Sequence, residues 1–265
     1  MNVFIRECKA HRKALIIWSI CMFLLVMSGM GKYTAYASGG SGAADVFDTL
    51  PNAMKVILGF GDFDVTAISG FYAFLFPYIQ LTVAIHAVLL GSSIISKEER
   101  DKTTEFLIAK PISRRVILTA KLLTALINVV IINIVCILSS LAIVSTFDTG
   151  EDITGEILLL HATMFLVQLI YLTLGAVIAA AMPKSKRSGT IAVNILLVGY
   201  VITKITGLVE ELKILDVFAP LNYFNLEKAV KHGEVSVVVT LLSIVLIAAF
   251  AVITYYSYQK RDMNI

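Results

Sequence analysis

Six long apolar runs, separated by charged stretches, dictate what this chain can fold into. A helix needs about 20 consecutive apolar residues to cross a bilayer, within a range of roughly 17–25. The runs cover 14–30, 70–95, 116–147, 157–182, 189–203 and 235–256, the fifth being the shortest. They are continuous and not alternating, so they read as helices and not as barrel strands. Composition agrees. Of 265 residues, 58% are hydrophobic and 15% charged, against about 45–50% and roughly 25% in soluble domains. A soluble fold of this length has no core large enough to hide that surface. The expectation is an all-α integral membrane protein, with residues 1–265 forming one transmembrane domain. This excludes a nucleic-acid-binding module, a disordered chain and a disulfide scaffold. The cysteines Cys8, Cys21 and Cys136 are odd in number and lack CxxC spacing. They read as free thiols packing as small hydrophobes.

Orientation follows from Lys and Arg in the connecting segments. The N-terminal stretch, the loops 96–115 and 183–188 and the C-terminal tail carry 15 of them, and the segments on the other side carry 6. The first side is therefore expected to be cytoplasmic, with both termini inside. Lys121 lies a turn inside the third run and is expected to snorkel to the inner surface. Phe4, Cys8, His11 and Leu15 recur at helical spacing among basic residues, which suggests an interfacial helix ahead of the first span. The run ending near Ala35-Tyr36-Ala37 also has the outline of a cleaved signal peptide, but the long basic flank containing Glu7 argues against cleavage.

The most charged stretch is SKEERDKTTEFLIAKPISRRVILTAK, residues 96–121. Ser96 and Glu99 have capping-box spacing, so a helix can begin there. Lys97–Asp101 and Glu98–Lys102 are opposite charges at i, i+4. Pro111 stops the helix, and Ser113 can cap the third span. The result is a short helix outside the membrane, tied stiffly to the second and third spans. A solvated charged connector is the plainer alternative.

This stretch resembles the loop of ABC type-2 transporter permeases, such as the bacitracin-export and sodium-efflux permeases. The matching residues are Glu98-Glu99, Thr104-Glu105, Phe106-Leu107-Ile108, Pro111-Ile112-Ser113-Arg114 and Lys121. Thr103-Thr104 departs from the Gly-Thr that many members carry. Six spans, a basic N-terminal helix and Pro220-Leu221-Asn222-Tyr223-Phe224 before the last span extend the likeness over most of the chain. The resemblance implies a permease subunit of an ABC exporter. Two permeases, identical or sisters, would form the path across the lipid bilayer of the plasma membrane. Separate P-loop ABC ATPase subunits, holding ATP and Mg, would dock inside. A coupling helix over 97–110 would seat in the ATPase. The ATPase-coupling residues would be Glu98, Glu99, Arg100, Thr103, Thr104, Glu105, Leu107, Pro111, Ile112, Ser113 and Arg114.

The chain carries no catalytic signature of its own. Gly29-Met30-Gly31-Lys32-Tyr33 lacks the spacing and hydroxyl of a phosphate-binding loop. HExxH and GxSxG are absent, and His11, His86, His161 and His232 lack metal-ligand spacing. No cofactor, metal or nucleic acid is expected on this chain, and it does not read as an enzyme. Polar residues within the runs are few. Gln80, His86, Asn128, Gln168 and Asn194 are candidates to line a path, although interhelical hydrogen bonds are their plainer role. Gly91, Ser92-Ser93 and Gly175 would permit close helix packing, and Pro77 would kink the second span. The apolar span faces favour an amphipathic or hydrophobic cargo. Two rival functions stay open: a membrane anchor without a path, and a stand-alone secondary transporter. The lack of Asp or Glu inside any run argues against the second.

Overall fold

The computed structural model describes residues 3–38, 49–59, 63–104, 112–182 and 187–260. Among them, six helices are long and apolar enough to cross a membrane. In chain order the α-helices are α1 (Val3–Met30), α2 (Tyr33–Ser38), α3 (Asn52–Leu58), α4 (Ile68–Arg100), α5 (Arg114–Val144), α6 (Thr154–Ala181), α7 (Ser188–Leu208), α8 (Leu226–His232) and α9 (Val237–Lys260). The long ones are α1, α4, α5, α6, α7 and α9. The chain is a multi-pass, all-helical membrane protein.

Helix ends follow local chemistry. Ser113 caps α5, its hydroxyl accepting from the Val116 amide at 3.4 Å. Asn225 caps α8 in the same way, through the Lys228 amide at 2.8 Å. α1 and α7 are among the helices that run longer than the apolar pattern. α1 is one helix from Val3, with no separate interfacial helix ahead of the span. No proline or glycine interrupts it before Gly29, and its early turns pack on α5, where Cys8 Sγ lies 3.7 Å from Thr124 Oγ1. α7 continues past Thr203 to Leu208, which places Lys204 inside the helix.

α4 and α6 form the most extensive pair. They run parallel, with Phe76 beside His161 at one end and Gly91 beside Leu172 at the other, and nearly touch backbone to backbone. A Cβ on Gly91 would lie 2.0 Å from the Leu172 carbonyl oxygen, and one on Gly175 would lie 2.3 Å from that of Val88. Only glycine fits at such a crossing. α5 packs beside this pair, α1 lies on α5 and α4, α7 on α4 and α6, and α9 on α6 and α5. The outer helices present apolar side chains outward, with Val238 on α9 75% exposed. Such faces suit lipid or a partner helix and not water.

Two apolar clusters fill the interior. One holds Met22, Val26, Met30, Tyr33, Phe71, Tyr72, Phe76 and Met164. The other, nearer the termini, holds Ala84, Ala87, Ala125, Ala176, Ala179, Ala180 and Ala192. Between them sits a buried amide pair, Asn133 Nδ2 donating to Gln168 Oε1 at 3.0 Å and to the His161 carbonyl at 3.2 Å. Beyond α7 the chain forms a 3-10 helix, Glu210–Phe218, and a second short one, Pro220–Asn222. α8 follows and rests on α6 and α4. At 1.5 Å per residue α8 spans only about 10 Å, so this segment caps the bundle end away from the termini.

Candidate coupling end of the bundle

The second span does not stop at Ile95. α4 continues through Arg100, so Ser96 is a buried mid-helix residue and not a cap. The reason is that residues 96–100 supply good helix formers and Glu98 finds partners on other helices. The helix ends where Lys102 takes a left-handed conformation, φ 55°. The Asp101 amide then donates to the Lys97 carbonyl, and the Thr103 amide to that of Glu98, each at 2.8 Å. Residues 97–110 are therefore not one coupling helix. Their first part is the last turn of α4, the chain turns at 101–103, and residues 105–110 lie outside the described residues. Glu105 and Leu107 fall there, and Pro111 lies outside them too.

The charges of this turn point inward, across helices. Lys121 on α5 is fully buried and does not snorkel. Its ammonium donates to Glu98 Oε2 at 2.6 Å and to the Ile94 carbonyl at 2.5 Å. Glu98 Oε1 accepts from Arg6 Nη2 on α1 at 3.4 Å. Arg6 also bonds its neighbour Glu7 at 2.8 Å, and Glu7 is fully buried with Lys97 Nζ 4.0 Å away. Three cations and two carboxylates thus join α1, α4 and α5. Charges leave water only when paired and hydrogen-bonded, and the cross-helix partners explain why neither expected i, i+4 pair forms.

A second tie lies beside it. Arg114 Nη1 donates to the Gln259 carbonyl at 3.2 Å, and Arg115 Nε to Gln259 Oε1 at 3.1 Å. Thr119 and Tyr255 share a hydroxyl bond of 2.8 Å. The start of α5 is thereby fastened to the end of α9. Ile112 is half-buried and Ser113 exposed. Glu99 belongs to the last turn of α4, Arg100 bonds Asp101 at 3.3 Å, and Thr104 is buried.

The five polar candidates within the spans are dispersed. His86 and Asn128 line a groove of about 190 Å³ with His11 and Trp18. Trp18 and His86 rings lie 5.0 Å apart. Gln80 lines a different cavity, beside Tyr200 and Lys204. Gln168 is fully buried in the amide pair with Asn133, and Asn194 is exposed on α7. Arg6, Glu7, Lys97 and Gln259 are the contributors that sequence reasoning missed. One signal was present: a lysine inside an apolar run requires a buried carboxylate, and Glu7 and Glu98 are the buried acids at that end of the bundle among the described residues.

Six apolar helices with a close α4–α6 seam, and ionic ties gathered at the end nearest the termini, define a multi-pass membrane component. Among the described residues no group of three His, Cys, Asp or Glu side chains comes together to hold a metal. Residues 1–263 match the family described as ABC-2 family transporter protein, and the chain belongs to that family. It is thus a membrane permease component of an ABC transporter. No curated protein matches the chain at a significant level.

Proposed function

We propose that this chain is the permease subunit of an ATP-driven exporter of the plasma membrane, with both termini in the cytoplasm. Two copies, or one copy and a sister permease, enclose the path. A separate ABC ATPase, which binds ATP and Mg, docks at the termini end. The coupling element is the turn and loop from Glu98 to Arg114: Glu98 and Thr104 buried at its root, with Glu99, Arg100, Thr103, Glu105, Leu107, Pro111, Ile112, Ser113 and Arg114. The observation that carries this reading is the buried Lys121–Glu98 pair at the root of that loop. A loop anchored in water would absorb a displacement. A loop whose root is ion-paired to α1 and α5 passes it into three helices. Closure of the ATPase pair would then bias the bundle between two arrangements by differential binding. His86 and Asn128, in the groove nearer the termini, and Gln80, in the opposite half, are the path-lining candidates that face open space. Gln168 and Asn194 are weaker ones, because one is sealed in a hydrogen bond and the other faces outward.

Affinity purification from the native membrane tests the reading. A P-loop ATPase should co-purify. Glu105→Lys and Pro111→Ala should lower its stimulated activity at least about tenfold while the permease still inserts and folds. Normal stimulation in both variants removes the loop as the contact. A chain recovered alone, with no ATPase activity in any fraction, favours the anchor or secondary transporter.

A further inference from the structure

In the half of the bundle away from the termini, a partly open cavity of about 150 Å³ lies between α4, α6, α7 and the segment 221–229. Its walls are apolar where Phe76, Leu160 and Phe224 face it, and its polar side chains are Gln80, Tyr200, Lys204 and Asn222, with Thr163 and Thr203, whose hydroxyls are bonded to carbonyls of their own helices. Lys204 is half-buried on a membrane-spanning helix. Its ammonium lies 3.3 Å from the Val56 carbonyl and 5.4 Å from the centre of the Tyr200 ring. No carboxylate pairs with it among the described residues. That contrasts with the other end, where buried Lys121 has Glu98 at 2.6 Å. An ammonium carries three donors, and one long bond to a carbonyl with the Tyr200 ring alongside leaves two donors unused and no full negative charge beside it. Gln80 is 9% exposed and makes no hydrogen bond to a described residue, although its amide faces the cavity. Buried polar groups in hydrophobic surroundings are ordinarily satisfied.

We infer that this cavity binds the anionic headgroup of an amphiphile, with Lys204 supplying the charge and the Gln80 amide and Tyr200 hydroxyl supplying hydrogen bonds. Phosphate or carboxylate fits these donors, because both accept several charge-assisted bonds at once. The volume sets the size. A cavity of about 150 Å³ holds a benzene-sized group, so a headgroup and a few methylenes enter while the acyl chain stays outside. Snorkelling alone would send the ammonium toward water. Here Lys204 lines a cavity that Gln80 also lines, with its ammonium held at the wall by the Val56 carbonyl. The inference concerns binding only and stands apart from the ATPase contact at the opposite end.

Binding of radiolabelled dodecyl phosphate to the full chain in phosphatidylcholine nanodiscs, corrected for empty discs, tests it. Saturable binding is expected, with dodecyltrimethylammonium failing to compete. Lys204→Gln should weaken it at least about tenfold, equivalent to ~1.4 kcal/mol, and Lys204→Arg should retain it. Gln80→Leu keeps Lys204 and the volume, and should weaken binding even if the lysine variant folds poorly. Competition by inorganic phosphate alone would show that the headgroup suffices without a chain. Loss of binding when phosphatidylglycerol replaces part of the disc lipid would assign the site to membrane lipid, and persistence would assign it to a separately delivered amphiphile. Non-saturable uptake, equal competition by the cationic amphiphile, or unchanged affinity in both Lys204→Gln and Gln80→Leu would overturn the inference.

Discussion

The half of the bundle nearest the termini is packed with alanine, and the opposite half with rings. Near the termini Ala84, Ala87, Ala125, Ala176, Ala179 and Ala180 fill the interior, and Gly91 and Gly175 bring α4 and α6 into backbone contact. Small side chains pull helices close, and backbones that touch move together. In the other half Tyr33 meets Phe71 at 5.5 Å and Phe147 at 5.2 Å. Tyr72 stands within hydrogen-bond reach of Ser140 at 2.8 Å. Rings hold helices further apart, and a cavity opens beside them. Charge is divided the same way. Near the termini it is buried and paired. In the opposite half Lys204 is left without an acid among the described residues. Both halves hold a cavity, the His86 groove of about 190 Å³ near the termini and the Gln80 cavity of about 150 Å³ opposite, and what separates them is the lysine without an acid among the described residues at the second.

Breaking the ionic tie should give the largest effect. Lys121→Met leaves Glu98 buried with only Arg6 at 3.4 Å to oppose it. Removing one partner of a buried pair costs about 3–5 kcal/mol, and the residual Arg6 contact places the loss near the lower bound. Thermal unfolding in detergent should show it. Adding Glu98→Gln should recover most of the loss, since a neutral pair replaces an orphaned charge. A double variant as unstable as the single one would mean that Lys121 acts by packing and not by charge.

The backbone seam comes next. Gly91→Ala places a methyl where the Leu172 carbonyl oxygen already lies 2.0 Å away. The helices must separate, at about 1–3 kcal/mol for an overpacked core. A cysteine pair across α4 and α6 in the ring-lined half should keep its cross-linking rate if the two halves are mechanically independent. A change in that rate would show that the seam sets the spacing along the whole bundle.

The spans were legible because lipid demands long apolar helices, and apolar length is a local property of sequence. Ser113 and the small residues at Gly91 and Gly175 were legible for similar reasons, since capping and close approach depend on one residue each. The coupling end was legible only in outline. Glu98 was expected to pair with Lys102, four residues away. It pairs instead with Lys121 and Arg6, and only the assembled bundle brings those three together. The same cause carried α4 past Ile95: cross-helix partners stabilised a turn that local charge pattern assigned to a new element. Lys204 was read as part of an outer loop because the apolar run weakens at Thr203. The helix continues, with the Thr203 hydroxyl satisfied on the Gly199 carbonyl at 3.1 Å.

The smallest expected effect lies at the turn that starts α4, in the ring-lined half. Asp64 accepts from the Thr66 hydroxyl at 2.6 Å and from the Thr66 amide at 2.9 Å. These bonds hold its carboxyl below the ordinary aspartate range, the hydroxyl contributing most. Asp64 is exposed, so solvent screens the gain and the stabilisation is slight. The sign is fixed all the same. A lowered folded value gives stability that is present above the unfolded pKa, about 4, and is lost as pH falls through the folded one. Tyr33 donates to the Thr66 carbonyl at 3.1 Å, so loosening of the turn reaches α2. Hydrogen exchange at the Thr66 and Ala67 amides, referenced to intrinsic rates, should rise between pH 5 and about pH 3 in the native chain and stay flat in Asp64→Asn. Identical profiles would place the origin of this turn in the ring cluster behind it, and the charge of Asp64 would have no part in holding the ring-lined half together.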